Sequence, residues 1–406
     1  MRKVSQILNV VFSSVIQKSL PILIGIVVMN FYGEEGFVKF SLFLTGLIAF
    51  VVFISTGMVP ALIKTITQCE NEKQIVFNNY LSMACLAWLV ISLISILFSL
   101  CNLLPGRISE LIPYLIVVSI CLICILFSLA ALQALRYTAL AFRISVFNTL
   151  IVSFFVLSSL MFKFEIFLIM YLLSYVIMFI VSLSVLSKFE IFDIRLISIP
   201  RALKSLLPTL KESGSIFIPN VIWMLGVFFF HSFVASTENT KSEYSIFAIG
   251  YQWLTFIIFI PGALAPLVIS YFSRNGGVRQ VYWMSFLYII LGFIFASCFY
   301  FLDAQISSIY NIELTDRDVE ILGFTLLSGC FAAGNAPLIQ FLISKNHAIY
   351  ITFASISWLV IILISSFSTL FSNLLFESFF IAYLFSYFVL FFVVLLLERK
   401  HVEIVK

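Results

Sequence analysis

Charged residues are scarce in this sequence. Asp, Glu, Lys and Arg make up 10% of its 406 residues, whereas 62% are hydrophobic. Soluble domains carry about 25% charged residues, because their surfaces face water. The composition therefore excludes a water-soluble globular protein and indicates a membrane protein.

Two common kinds of chemical site are also missing. The pattern Gly-x-x-x-x-Gly-Lys-Ser/Thr, whose backbone cradles nucleotide phosphates, does not occur, so the chain is not expected to hydrolyse ATP. Cys121 and Cys124 have the spacing of a metal-binding pair, but no histidine or second cysteine pair lies near them. Helix packing explains these two thiols better than zinc. We predict no metal and no cofactor.

Long apolar runs, in contrast, are abundant. An α-helix rises 1.5 Å per residue, so about 20 apolar residues cross a hydrocarbon layer of about 30 Å. Most breaks between the runs are short, and only Lys188–Glu212 and Asp303–Asp318 have any length, so no extramembrane domain is expected. The sequence predicts twelve transmembrane helices, near residues 8–31, 38–60, 76–100, 111–134, 140–161, 165–187, 213–236, 244–271, 281–302, 319–342, 348–371 and 377–397.

The basic residues predict how these helices are oriented. Lys and Arg are held on the cytoplasmic side of a membrane. When the N-terminus is placed inside, most of the 23 Lys and Arg residues fall on the inner side, and the outer connections are acidic instead. We therefore predict that both termini are cytoplasmic. The net charge of +4 follows from this asymmetry and requires no nucleic-acid partner.

The chain also contains a weak internal repeat. A shift of 207 residues lays Lys39–Lys64 on the segment that ends at Arg274, and places Gln133 on Gln340, each at the inner end of a predicted span. Six spans in each half make the halves parallel, related by an axis along the membrane normal. We predict an all-α fold with two six-helix lobes, residues 1–200 and 201–406, in pseudo-two-fold symmetry around a central cavity.

The segment Tyr244–Arg274 carries the most specific motif. Gln252-Trp253 is followed by Phe259-Ile260-Pro261, and the segment closes with Ser273-Arg274. This order resembles the eighth helix of the O-antigen (Wzx-type) polysaccharide flippases, in the multidrug/oligosaccharidyl-lipid/polysaccharide exporter superfamily. The first outer connection, Gly33–Phe37, is similar too, although it has Gly-Phe where the family usually has Tyr-Gly.

The resemblance implies a function. Such flippases are taken to move undecaprenyl-diphosphate-linked oligosaccharides, the repeat units of O-antigen or capsule, from the cytoplasmic to the periplasmic leaflet of the bacterial inner membrane. The expected partners are this lipid-linked oligosaccharide and the membrane lipids. A polysaccharide polymerase would fit the family as a further partner.

Three cations are candidates for binding the substrate diphosphate. Lys18 lies about 15 Å from the inner end of the first predicted span, where a charge costs ~2.5–3.5 kcal/mol to insert. It is expected to face a wet cavity and to bind phosphate as a point charge; the alternative is snorkelling to the interface. Arg136 and Arg143 flank a turn at the inner surface, where they either meet the diphosphate or anchor the turn.

Polar groups within the spans complete the candidate set. His231 either lines an exit path or is simply hydrogen-bonded within the helices. Pro219-Asn220 and Gly334-Asn335-Ala336-Pro337 indicate either broken helices that expose backbone to cargo or close helix packing. Amides bind sugar hydroxyls or link helices, and Trp253 stacks on a sugar or packs internally. The predicted substrate-binding residues are Lys18, Arg136, Arg143, Asn148, Asn220, His231, Gln252, Trp253, Asn335 and Gln340.

Two alternative functions remain open. A multidrug or cation antiporter of the same superfamily would be expected to use a membrane carboxylate, and no Asp or Glu lies deep in a predicted span. A membrane glycosyltransferase or polysaccharide polymerase would be an enzyme with catalytic residues in an outer loop. Neither Glu34-Glu35 nor the loop Asp303–Asp318 offers a convincing acid/base pair. We therefore expect a transporter and not an enzyme.

Overall fold

The computed structural model describes residues 2–68, 70–101, 106–196, 199–236, 241–274, 277–301, 303–345, 347, 349–368 and 375–404. The regular elements among these residues are helices, which confirms the predicted all-α membrane fold. In chain order they are α1 (Arg2–Gln68), α2 (Lys73–Leu100), α3 (Gly106–Ser109), α4 (Ile112–Ala134), α5 (Thr138–Ser159), α6 (Phe164–Lys188), α7 (Ile199–Ser236), α8 (Lys241–Arg274), α9 (Val278–Tyr300), α10 (Asp303–Tyr310), α11 (Asp316–Ser344), α12 (Ile349–Ser368) and α13 (Leu375–Ile404).

Each of the twelve predicted spans coincides with one of these helices, and α1 holds the first two. Within the described ranges, eight helices are long and apolar enough to cross a membrane, with α1 counted once. Shorter apolar helices lie in Met58–Thr67, Ile349–Ile364 and Leu384–Leu396. A multi-pass membrane protein is therefore the observed class.

The turn inside α1 takes place at a single residue. Gly33 has φ 66° and ψ −168°, whereas the rest of Arg2–Gln68 is helical. This backbone conformation is open to glycine and costs other residues energy, because they carry a Cβ. The sequence predicted a short loop around Gly33–Gly36; the helix instead resumes directly after Gly33.

Helix α7 begins earlier than predicted. The predicted span starts at 213 and follows a long basic loop, but α7 already starts at Ile199. Pro200 stands at the start, where its missing N–H is tolerated. Leucines at 203, 206, 207 and 210 then alternate with basic residues at helical spacing. Hydropathy detects apolar segments and therefore missed this amphipathic extension.

Contacts divide the chain into two compact units. The first contains Met1–Leu20 and Leu42–Met224, and the second contains Pro21–Ser41 and Leu225–Lys406. The kinked middle of α1 thus packs with the second half of the chain. We call Pro21–Ser41 the hairpin tip. The predicted lobes of residues 1–200 and 201–406 remain a proposal.

The first unit is built around α4, which packs against α2, α5 and α6. The indole N–H of Trp88 on α2 donates to the carbonyl of Ile116 on α4 at 3.0 Å. Phe43 of α1 packs edge-on against Tyr171 of α6, with ring centroids 5.8 Å apart. These contacts leave a broad apolar surface on α2 and α5, as expected for helices that face lipid.

In the second unit α11 has the central position, because it packs against α8, α9, α12 and α13. Small residues allow these approaches. A Cβ at Gly329 would lie 3.1 Å from Leu254 of α8, and a Cβ at Gly292 of α9 would lie 3.0 Å from the Cα of Cys330. Close backbone approach through small residues is typical of helix packing in membranes.

Candidate functional site

Gln252 of α8 lies at the centre of a set of polar side chains in the second unit. Its side chain is 8% exposed and faces the hairpin tip. The hydroxyl of Tyr310, the last residue of α10, donates to Gln252 Oε1 in a long hydrogen bond of 3.4 Å. Gln252 Nε2 is buried without a hydrogen-bond partner. A buried donor left unpaired is costly, so this amide is a candidate for binding a ligand.

Glycine at position 25 makes room for this amide. A Cβ at Gly25 would lie 2.5 Å from Gln252 Nε2 and 2.7 Å from Oε1. The hairpin tip therefore approaches α8 more closely than any other residue type at this position would allow.

Two hydrogen bonds fasten the hairpin tip near its turn. Asn30 Nδ2 donates to the carbonyl of Ile309 at 2.8 Å and also to Ile26 of its own helix at 2.8 Å. Ser245 Oγ of α8 donates to Glu34 Oε1 at 3.0 Å. Glu34 is exposed and accepts this hydrogen bond beside the turn at Gly33.

Aromatic packing surrounds these bonds. Phe37 is fully buried and meets Tyr310 edge-on, with ring centroids 6.3 Å apart. Burial raises the pKa of the Tyr310 hydroxyl, so it stays protonated and acts as a donor. Trp253, next to Gln252, packs against α9, where its ring centroid lies 4.3 Å from that of Phe299.

His231 of α7 lies in an aromatic cage in the same unit. It is 1% exposed, and its Nδ1 lies 3.2 Å from the hydroxyl of Tyr244. Phe247 and Tyr251 pack against the imidazole at 4.9 and 4.5 Å between centroids. Nε2 is buried without a partner. Tyr244, Phe247 and Tyr251 follow helical spacing, so one face of α8 forms the cage.

Asn335 and Gln340 of α11 connect helices. Asn335 Nδ2 donates to Ser386 Oγ of α13 at 3.3 Å, and Gln340 Nε2 donates to the carbonyl of Pro261 of α8 at 3.1 Å. Both side chains are buried, at 0% and 5% exposure. Each keeps one amide oxygen without a hydrogen bond. The helix-linking role is thus observed, and contact with a substrate remains a proposal.

The remaining candidates belong to the first unit. Arg136 lies in the turn between α4 and α5, Arg143 lies in the second turn of α5, and both side chains are exposed. Arg136 adopts a left-handed conformation with φ 64°, which is rare for an arginine. Asn148 of α5 is 7% exposed with Oδ1 buried and unpaired, and Asn220 of α7 is half-buried. The side chain of Lys18 lies outside the part of the chain whose surroundings the structure describes.

The structure thus places His231 on α7, Gln252 and Trp253 on α8, and Asn335 and Gln340 on α11, all in the second unit, where each has its own set of neighbours. Sequence reasoning missed Gly25, Asn30, Ser245 and Tyr310. No short-range pattern relates residue 30 to 309 or residue 252 to 310, because these contacts depend on the tertiary fold. Among the described residues, no cluster of His, Cys, Asp or Glu could hold a metal ion.

Comparisons with known proteins give the fold. No protein-family model matches the sequence, and no curated protein matches it. An inward-facing multidrug resistance MATE family transporter of the MOP superfamily superposes with TM-score 0.65 at 15% identity, over 96% of this chain and 98% of the other. The lipid II flippase MurJ in an inward closed conformation gives 0.69 at 14% identity, over 94% and 86%.

A third similar structure is a MOP superfamily transporter from Pyrococcus furiosus, with TM-score 0.57 at 16% identity over 98% of this chain and 95% of the other. The likenesses extend over nearly the whole length of each chain, and the identities are low. These structural likenesses therefore establish the architecture of this chain, and they do not identify its substrate. The chain has the fold of the MOP-superfamily transporters, to which the MATE exporters and the lipid II flippase belong.

Proposed function

We propose that this protein is a flippase for an undecaprenyl-diphosphate-linked oligosaccharide, an O-antigen or capsule repeat unit. It would move the unit from the cytoplasmic to the periplasmic leaflet of the bacterial inner membrane by alternating access. Both termini would be cytoplasmic. A polysaccharide polymerase that consumes the delivered unit is the partner we propose.

One observation carries the proposal: in the described part of the second unit, the buried polar groups away from the helix ends are uncharged, and the buried carboxylate of Asp318 caps the start of α11. The amides of Gln252, Asn335 and Gln340 are buried there, together with His231. The carboxylates of Glu34 and Glu243 lie at helix ends instead, where Glu243 pairs with Arg317 at 2.8 Å. Amides suit sugar hydroxyls, which both donate and accept hydrogen bonds, whereas an organic cation needs a negative charge or an aromatic face.

The resemblance of the α8 segment to polysaccharide flippases supports the same conclusion. The likeness to the lipid II flippase MurJ adds that this fold is able to move a lipid-linked molecule. The diphosphate would be met by Arg136 and Arg143 at entry and by Lys18 within the membrane. Guanidinium and ammonium groups both bind phosphate oxygens through charge-assisted hydrogen bonds.

The likeness to MATE multidrug transporters favours the second candidate, an antiporter that exports organic cations. The aromatic cage of Tyr244, Phe247 and Tyr251 is the feature that would bind such a cation. Its centre is occupied by His231, however, and the rings contact this imidazole. We therefore place the antiporter second.

The two candidates are separated in cells that lack the protein. We expect finished lipid-linked repeat units to accumulate on the cytoplasmic leaflet, and the wild-type gene to relieve the accumulation. Lys18→Ala, expressed at the wild-type level, should fail to do so, whereas Lys18→Arg should retain part of the activity because it keeps the charge. Normal delivery of repeat units without the protein, together with slower efflux of a cationic dye, would establish the antiporter instead.

A further inference from the structure

A cavity of about 360 Å³ lies between α9, α10 and α11 in the second unit. This volume is within the range of ligand-binding pockets in proteins. Phe293 and Ala296 line the cavity on α9, and Gly323 lines it on α11. Its lining residues are apolar apart from Ser297, which is exposed. An apolar cavity does not hold water stably and binds apolar molecules instead.

Gly323 gives this cavity part of its room. A Cβ at Gly323 would meet nothing within 4 Å, whereas a Cβ at Gly329, further along the same helix, would lie 3.1 Å from Leu254. Close helix packing therefore explains Gly329, as it explains many glycines in membrane helices, and does not explain Gly323. Because Gly323 lines the cavity, a larger side chain at this position would fill part of it.

The cavity lies at the depth of one membrane leaflet. Its lining residues on α11 run from Val319 to Leu327, a distance of about 12 Å along the helix. The helix begins at Asp316, so this stretch ends about 17 Å from the start of α11. Half of a hydrocarbon layer of about 30 Å has nearly the same depth. The leaflet on the side of α10 is therefore the one that supplies a ligand to this cavity.

The lipid-facing surface of α9 is continuous with the cavity. Phe293 lines the cavity and is 39% exposed. Ile290, Leu291 and Ile294, its neighbours on α9, are exposed as well. Exposed apolar side chains on a membrane-spanning helix contact the hydrocarbon of the bilayer. The chain of a membrane lipid that packs on this surface therefore reaches the cavity directly.

The end of the cavity near the start of α11 is acidic. Asp316 and Glu320 each stand three residues before a lining residue of α11, so they continue the lining face of the helix toward its start. Both residues are exposed. The neighbouring cation, Arg317, is paired with Glu243 at 2.8 Å. This arrangement attracts a lipid headgroup that carries an ammonium and repels one with a net negative charge.

We propose that this cavity binds a phospholipid of the leaflet on the α10 side, with one acyl chain inside it and a headgroup ammonium near Asp316 and Glu320. Phosphatidylethanolamine has this chemistry. The bound chain supports α10, because Ile306 lines the cavity one turn before Tyr310, which donates to Gln252. The proposal does not depend on the cargo that the protein carries.

Variants that fill the cavity test the site. Gly323→Leu adds a side chain to it from α11, and Ala296→Leu does so from α9. The control is Gly262→Leu, at an exposed position of α8 where a Cβ also meets nothing within 4 Å. Phosphatidylethanolamine is added in steps to each purified protein in detergent, and bound lipid is counted by native mass spectrometry. Wild type and Gly262→Leu should show one saturable binding step, and the two filled variants should bind about tenfold more weakly.

Thermal unfolding in the same detergent gives a second readout, which also shows that the variants are folded. Phosphatidylethanolamine should raise the unfolding midpoint of the wild type by about 3 °C. Phosphatidylglycerol, which has a net negative charge, should raise it less, and Glu320→Gln should reduce this difference. Gly323→Leu should unfold no earlier than the wild type without lipid, because leucine fills the cavity, and should not respond to either lipid.

The results decide between this ligand and the alternatives. Loss of the binding step in Gly323→Leu and Ala296→Leu, with Gly262→Leu like the wild type, supports the site. Equal binding of phosphatidylethanolamine to all four proteins overturns it, and so does tighter binding of phosphatidylglycerol. A polyprenyl phosphate is titrated in the same way. If Gly323→Leu weakens the binding of this molecule and leaves that of phosphatidylethanolamine unchanged, the cavity holds the tail of a cargo and the proposal is wrong.

Discussion

The carboxamide of Gln252 occupies the space that a side chain at position 25 would need. A Cβ on Gly25 would lie 2.5 Å from Gln252 Nε2, well inside van der Waals contact. Gln252 is 8% exposed, so it has little room to turn away. The two residues are 227 positions apart in the chain, yet each determines which side chain is possible at the other.

Gly25→Ala is therefore expected to be destabilising. Overpacking of this kind costs about 1–3 kcal/mol, so the apparent free energy of unfolding in detergent should fall by that amount. Gln252→Ala in the same chain should recover most of the loss, because it removes the atoms that clash, and a double-mutant cycle measures this coupling. Gly323→Ala is the matched control, since a Cβ there meets nothing within 4 Å. Additive effects of the two substitutions would contradict the contact.

Gly226→Ala should be harmful for the same physical reason in another place. A Cβ at Gly226 of α7 would lie 2.4 Å from the indole of Trp358 on α12, which is fully buried. We expect a loss of about 1–3 kcal/mol in unfolding free energy, and partial rescue by Trp358→Phe, whose ring is smaller. Thermal unfolding in detergent measures both. Gly262→Ala, with no neighbour within 4 Å, should show no comparable loss.

Ser285→Ala probes a hydrogen bond that joins two helices. Ser285 Oγ of α9 donates to the carbonyl of Gly334 of α11 at 2.7 Å, in a buried position. Such bonds contribute about 0.6 kcal/mol on average in a membrane protein, so the loss should be small but measurable. Ser357→Ala, whose hydroxyl is exposed and bonds within its own helix, should have no effect on unfolding. An equal change for both would show that the α9–α11 bond contributes nothing.

The backbone at Arg136 allows a test that separates stability from function. Arg136 and Glu190 both follow the end of a helix with positive φ, 64° and 55°. Glycine adopts this conformation without strain, so Arg136→Gly and Glu190→Gly should each raise the unfolding free energy by about 1 kcal/mol. Only Arg136→Gly removes a cation, and we expect only this variant to transport more slowly. Transport that is equally unaffected in both variants would exclude Arg136 from substrate binding.

The sequence predicted the class of fold well because membrane insertion leaves a strong local signal. Each long apolar run became a helix, and the break at Gly33 was recognised from its residues. The predicted helix bounds were wrong in two kinds of place: where a helix is amphipathic, as at the start of α7, and where the backbone conformation of one residue makes the turn, as at Gly33. The residues 199–212 carry basic side chains, so hydropathy assigned them to a loop, whereas their leucines follow helical spacing.

The candidate site was predicted only in part, for a physical reason. Gln252 and Trp253 were found because polar or motif-bearing residues stand out in an apolar run. Tyr310 and Gly25, which contact Gln252, and Asn30, which bonds to Ile309, lie in a short loop helix and in the hairpin tip, where tyrosine, asparagine and glycine are ordinary. Only the tertiary fold brings residue 310 to residue 252, and no periodicity reports such a contact.

The most direct test of the central claim is translocation in vesicles that contain only the purified protein. A lipid-linked oligosaccharide is placed in one leaflet, and its appearance in the other is followed with a glycan-binding lectin that does not cross the membrane. We predict that lectin-accessible glycan rises with time in vesicles with the wild-type protein, and much more slowly with Lys18→Ala. Vesicles in which the protein leaves the glycan where it was placed, but carries a cationic dye across, would contradict the proposed function.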